Sequence, residues 1–334
     1  MSSSDFPVGI RRASYAALGV ALLHIVFGAI VRISGSGMGC GDNWPKCYGY
    51  WFPPFDRMDL VIEVMHRYLA IALFAAIAVL VATVWRHRTL PTVSGRGSVA
   101  NAARLSLLLW FAPALFGAVT VFTGNPWWAT VVHKLLAVSL IAVLAIATMR
   151  AGGFGAASLR VGSGTPKAVG GATSAAIGAL LVVLLGGLTA KLPGAAVACA
   201  GFPFCGDGSL GGGAQHVQLT HRILAYLLVL HLASLPLLFR KRGEPLPVQR
   251  AAWIGAALGF MQVVWAGWMV LGGFPGTVRS MHQATGILIW LVAFTTAYLA
   301  RIAAGRTTIA LQGTAPRDAS IPRVPAPGTP TPAR

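Results

Sequence analysis

LVIEVMHRYLAIALFAAIAVLVATVW, residues 60–85, decides the fold class. Its acidic and basic residues Glu63, His66 and Arg67 gather at one end, and no other follows until Arg86. A bilayer core takes about 20 consecutive apolar residues as a helix, whereas a membrane-spanning strand alternates apolar and polar positions over a much shorter length. The stretch therefore predicts a membrane-crossing helix with a polar head. Runs of the same kind lie at Tyr15–Ile33, Leu105–Phe122, Ala129–Met149, Ala172–Ala190, Leu219–Phe239, Ala251–Leu271 and Ser280–Ala300. With Leu60–Trp85 they make eight spans and an all-α polytopic membrane protein.

The composition agrees. Of 334 residues, 56% are hydrophobic and 10% charged, and the mean hydropathy is +0.70. Soluble domains carry about 25% charged residues, so a soluble enzyme and a disordered chain are both excluded. The net charge of +18 is distributed by topology. Eighteen of the 26 basic residues fall before the first span, in alternate gaps and after the last span; the opposite gaps hold Arg32, Lys46, Arg57, Lys191 and Arg279. Positive residues stay on the cytoplasmic side, so both termini are expected there, with the charge facing anionic lipid and no nucleic acid required. Met1–Ile10 lacks the pattern of a cleavable signal. Residues 302–334, with six prolines among Ala, Thr and Arg, are expected to form a disordered cytoplasmic tail.

The chain also repeats itself. Met65-His66-Arg67-Tyr68-Leu69-Ala70 is answered 155 residues later by Thr220-His221-Arg222-Ile223-Leu224-Ala225, and Val132-His133-Lys134 is answered 149 residues later by Met281-His282-Gln283. Two four-helix bundles follow, 11–149 and 171–301, joined by a basic linker at 150–170. Four spans per unit give both the same orientation, a parallel repeat.

Four of the eight histidines, His66, His133, His221 and His282, recur at the outer ends of even-numbered spans. One such histidine is most simply a hydrogen-bonded helix end; four at matching positions are better read as function. Two imidazoles from neighbouring helices suit the axial positions of haem iron, His66 with His133 and His221 with His282. Zinc fits less well, because each half offers two histidines and no acidic cluster. His24 and His231 read as packing residues with a polar contact, and His87 and His216 as solvated. Glu63 stands three residues before His66, about 4.5 Å along the helix axis on one face. Its counterpart is Gln218. Glu63 could pair with Arg67 or Arg32, or it could be a proton-active carboxylate that makes only the N-terminal half reactive. Arg67, Lys134, Arg222 and Arg279 neighbour the four histidines and are candidate partners of haem propionates, or snorkelling interfacial cations.

Cys40 and Cys47 share the first outer loop, and Cys199 and Cys205 the third. On the oxidising side of the membrane these pairs are expected to form disulfides. The first loop is too rich in glycine to be regular and is a candidate lid.

Glu63-Val64-Met65-His66-Arg67, His133-Lys134, Thr220-His221-Arg222 and His282, with a cysteine pair in the first and third outer loops, resemble the haem A synthase family, in its bacterial cysteine-containing type. The resemblance covers residues 11–301. It implies oxidation of a methyl group of haem O to a formyl group by two hydroxylations through a gem-diol that loses water. It places haem b on His221 and His282, haem O as substrate with His66, His133 and Glu63, and activity or haem transfer at Cys40 and Cys47. It also implies the bacterial plasma membrane, and haem O synthase and terminal oxidase assembly factors as partners. Gly28-Ala29-Ile30-Val31-Arg32 departs from the family's usual Gly-Gly-x-Thr-Arg, whereas Gly186-Gly187 keeps both glycines. Two other functions compete: a dihaem b-type membrane electron-transfer protein, which needs no Glu63, and a repeat-built transporter relaying protons, which needs no haem.

Overall fold

The computed structural model describes residues 6–199, 201–206 and 212–310. It is helical almost throughout. The elements are α1 (Val8–Ile33), α2 (Met58–Arg86), the short α3 (Pro91–Ser94), α4 (Val99–Phe122), α5 (Trp127–Arg150), α6 (Pro166–Thr189), α7 (Gly212–Lys241), α8 (Leu246–Leu271) and α9 (Gly276–Ala303). All but α3 are long and apolar enough to cross a membrane, which makes eight among the described residues. Each is longer than its apolar run, because helix continues into the polar margins: α4 starts six residues before Leu105 and α7 seven before Leu219. Turns stop the helices where expected. Pro166 opens α6 behind Thr165, whose hydroxyl accepts the Ala168 N–H at 3.2 Å.

Packing follows a cyclic order. α1 lies on α2, α2 on α4, α4 on α5, and α5 returns to α1; α6, α7, α8 and α9 close a second ring in the same way. The rings meet through α1 and α5 against α9, and α5 against α6. α9 is therefore enclosed, with 72% of its apolar window buried against 17% for α4. Small residues let the central helices approach closely: Ala293, Ala297 and Ala300 of α9 and Ala168, Ala172 and Ala175 of α6 are all buried. Outward-facing Leu23, Leu108, Leu115, Leu230 and Phe260 are exposed, as lipid contact requires. Arg150 ties the end of α5 to its neighbours, donating to the Tyr298 hydroxyl at 3.0 Å and the Ser98 carbonyl at 3.2 Å. At the same end, the buried Glu244 accepts the Thr165 hydroxyl at 2.5 Å.

Residues 302–310, expected to belong to an unstructured tail, are ordered against the bundle. α9 continues to Ala303, and the following segment folds back so that Ile309 is buried and the Ala310 N–H meets the Gly97 carbonyl at 3.4 Å. An apolar side chain in a Pro- and Ala-rich stretch can dock on a neighbouring loop, which composition alone does not show. Residues 311–334 of that stretch lie outside the described residues.

Candidate functional site

Each ring holds a cavity at the end that carries the cysteine loops. His66 and His133 line one of about 340 Å³. His221 and His282 line the other, of about 200 Å³. Glycines make the room. A Cβ at Gly28 would come within 3.1 Å of the His66 ring, at Gly117 within 3.4 Å of the His133 ring, and at Gly186 within 2.9 Å of the His221 ring. The Nδ1 atoms of His66, His133 and His221 are buried without a hydrogen-bond partner among the described residues. Buried imidazole nitrogens are normally satisfied, so unsatisfied ones in a mostly apolar cavity are suited to a ligand. His282 differs: the Gln262 amide of α8 lies 3.2 Å from its Nδ1 and donates to its carbonyl at 3.0 Å. The position matching Gln262 beside His133 is Pro113, which lines the larger cavity and offers no such donor.

The cysteine loops cover these cavities, and both are held in the same way. Cys40 is bonded to Cys47, and Cys199 to Cys205. The Cys40 N–H donates to Glu63 Oε2 at 2.9 Å, and the Cys199 N–H to Gln218 Oε1 at 2.6 Å. Arg67 forms an ion pair with Glu63 Oε1 and reaches the carbonyls of Asn43 at 2.9 Å and Pro45 at 2.8 Å. Arg222 reaches those of Cys199 at 2.9 Å and Gly201 at 2.6 Å. Tyr68 and Tyr226 add hydroxyl bonds to the carbonyls of Trp51 and Pro203. Both Glu63 oxygens thus carry a donor, and the guanidinium groups of Arg67 and Arg222 hold loop backbone. Arg222→Leu is expected to free the 199–205 loop and to destabilise the fold by roughly 2–4 kcal/mol, as loss of several charged hydrogen bonds implies. Faster reduction of the Cys199–Cys205 disulfide and a lower Tm would show it; unchanged rates would mean the loop is held otherwise.

The family model described as "Cytochrome oxidase assembly protein" (COX15-CtaA) matches residues 11–61. The chain is 29% identical over 245 residues to "Heme A synthase" from Geobacillus kaustophilus, covering 71% of this chain and 74% of the relative. It is 26% identical over 274 residues to "Heme A synthase" from Exiguobacterium, covering 81% and 86%. The chain is thus similar to haem A synthases along most of its length. A shorter similarity, 34% over 168 residues, connects 46% of this chain to 26% of "Protoheme IX farnesyltransferase" from Thermus thermophilus.

Three features of the site were not legible in the sequence. His24 is not simply a packing residue: its ring stacks on that of His66 with centroids 4.3 Å apart, it lines the larger cavity, and its Nε2 has no partner among the described residues. Its spacing of four from Gly28 puts both on one helix face, which was the available signal. His231, by contrast, bonds the Ser174 hydroxyl at 3.0 Å and the Gly171 carbonyl at 2.9 Å. Second, Gln262 holds His282. Third, Arg32, a possible partner of Glu63 by sequence, instead lines both cavities with Lys134. Arg279 lines the smaller cavity and Lys191 the larger. Burial first, then the Arg32 charge, lower the Lys191 ammonium below its ordinary pKa. The residues fit a haem in each cavity: two imidazoles on neighbouring helices, unsatisfied ring nitrogens, apolar walls and cations at the rim.

Proposed function

We propose that this protein is a haem A synthase that oxidises the methyl substituent of haem O to the formyl group of haem A by two successive hydroxylations. The observation that carries the reading is the duplicated pair of cavity-lining histidines, three of them with an unsatisfied buried nitrogen. His221 and His282 would hold a resident haem b, and His66 and His133 the substrate haem O. The difference between the halves supports this division. Gln262 holds His282 through its carbonyl and lies against both of its ring nitrogens, whereas the matching position beside His133 is Pro113, which has no side-chain donor to hold that ring. The larger cavity is on the substrate side. Haem iron bound there supplies the redox chemistry of the reaction. The protein's part is to orient the macrocycle, to keep the pocket dry beneath the cysteine loop, and, through Glu63, to move a proton near the reacting methyl group.

The domain reading follows: units 11–149 and 171–301 are parallel repeats, the first catalytic and the second a cofactor holder, with both termini cytoplasmic in a bacterial plasma membrane. The matching rings support the duplication. The Thermus relative's name describes farnesyl transfer to protohaem IX; an enzyme of that class would supply the substrate, and the product would pass to terminal oxidase assembly factors. One observation favours a second reading, a dihaem b-type electron carrier: Glu63 and Gln218 perform the same loop-holding task. Pyridine haemochrome analysis and mass measurement of extracted haem separate the two. Haem b together with haem O, haem A or a hydroxylated intermediate is expected. Haem b alone in both cavities would establish the carrier, and a colourless protein from haem-replete cells would overturn both.

A further inference from the structure

The residue after each fourth-helix histidine crosses from its own ring to the other. Successive helical residues point about 100° apart, so with His133 turned into the larger cavity, Lys134 turns toward α6. It meets α6 at Gly187, where a Cβ would stand 3.2 Å from the ammonium nitrogen. Gln283, which follows His282, crosses the opposite way and its Oε1 accepts Arg32 Nη2 at 2.6 Å. Lys134, Arg32 and Gln283 consequently line both cavities. The second glycine of Gly186-Gly187 now has a physical reason: Gly186 clears His221, and Gly187 clears the visiting lysine.

No acid among the described residues forms an ion pair with these cations. The ion pairs among the described residues are Arg57–Asp59 and Arg67–Glu63, neither of which involves Arg32 or Lys134. Arg279 and Lys191 bring two further positive charges to the cavities. Uncompensated cations converging in a poorly hydrated region are costly unless a ligand supplies the anion.

We propose that Arg32 and Lys134 form a single carboxylate-binding seat shared by the two cavities, taking one acidic arm from the porphyrin in each. The proposal rests on the haem reading above and adds a connection between the sites. Occupancy of the larger cavity places a carboxylate beside cations that also face the haem b of the smaller one. Negative charge near a haem favours its oxidised form, so the midpoint potential of haem b falls when the second site fills.

The test uses the full chain carrying haem b, produced in cells that make no farnesylated haem. It is titrated with zinc protoporphyrin IX, which is fluorescent and redox-inert, and with its uncharged dimethyl ester. The diacid is expected to bind about tenfold more tightly than the ester, the effect of one charge-assisted contact, and to lower the haem b midpoint potential, which the ester leaves unmoved. Lys134→Met should abolish both differences, Lys134→Arg should restore them, and Gly187→Leu, which fills the space of the ammonium, should reproduce Lys134→Met. The haem b spectrum of each variant reports its folding. With haem b present, equal affinities for diacid and ester in the parent protein, or a potential shift that survives both Lys134→Met and Gly187→Leu, would overturn the shared seat alone. A preparation without haem b would overturn the seat and the haem reading together.

Discussion

His221→Ala and His282→Ala are each expected to leave the purified protein without haem b, while His66→Ala and His133→Ala retain it. The smaller cavity is built around its two imidazoles. Gly186 admits the His221 ring so closely that a Cβ would lie 2.9 Å away, and Gln262 fixes the His282 ring. Removing either side chain leaves an apolar void and only one of the two imidazoles that would hold the haem proposed for this cavity. A loss of roughly tenfold or more in bound haem is expected, since even the outer partners of metal ligands are worth about 10- to 100-fold in affinity. Two milder variants grade the effect. Gln262→Leu should weaken haem retention without abolishing it, and Gly186→Ala should shift the haem spectrum by pushing the His221 ring. Absorbance of the reduced haem per mole of protein is the measurement. An undiminished haem b signal in His221→Ala or His282→Ala would refute the ligand pair, and its loss in His66→Ala instead would reverse the roles of the two halves.

The pattern of legible and hidden features has a physical basis. A membrane span is long, local and compositionally extreme, so all eight could be read from apolar run length, with errors only where helix continues through polar residues such as those before Leu105 and Leu219. The histidine pairs were legible because duplication writes each of them twice. Arg67 and Arg222 were not. Sequence placed them beside histidines and suggested haem propionates or interfacial snorkelling; in the structure Arg67 pairs with Glu63, and both guanidinium groups hold backbone carbonyls about twenty positions earlier in the chain. Which carbonyls a loop turns inward depends on how it folds back over the helix, and residue identity does not encode that. His24 was hidden because it has no partner in the second half, and repetition was the signal being followed. Lys134 was legible as the neighbour of His133, but not its reach to the other ring: the turn of about 100° between successive helical residues carries it to Gly187.

Glu63→Gln decides whether the N-terminal half is catalytic. The C-terminal half already contains the control, because Gln218 occupies the equivalent place and accepts the Cys199 N–H through its amide oxygen while donating to the Ala196 carbonyl at 3.1 Å. A glutamine at 63 can therefore keep the Cys40 N–H bond and hold the 40–47 loop, losing only the charge and the ion pair with Arg67. Haem b content and the Cys40–Cys47 disulfide should be preserved. Formyl product should fall by about 100-fold or more, within the range that a positioned proton donor or acceptor contributes. Glu63→Ala provides the contrast: it leaves the Cys40 N–H without its acceptor, so the disulfide should be reduced faster as well. If Glu63→Gln made haem A at the parental rate while Glu63→Ala did not, the carboxylate would be a loop holder like Gln218, and the proton-moving group would have to be sought elsewhere in the larger cavity, where His24, stacked on His66 and with its Nε2 unpartnered among the described residues, is one titratable candidate.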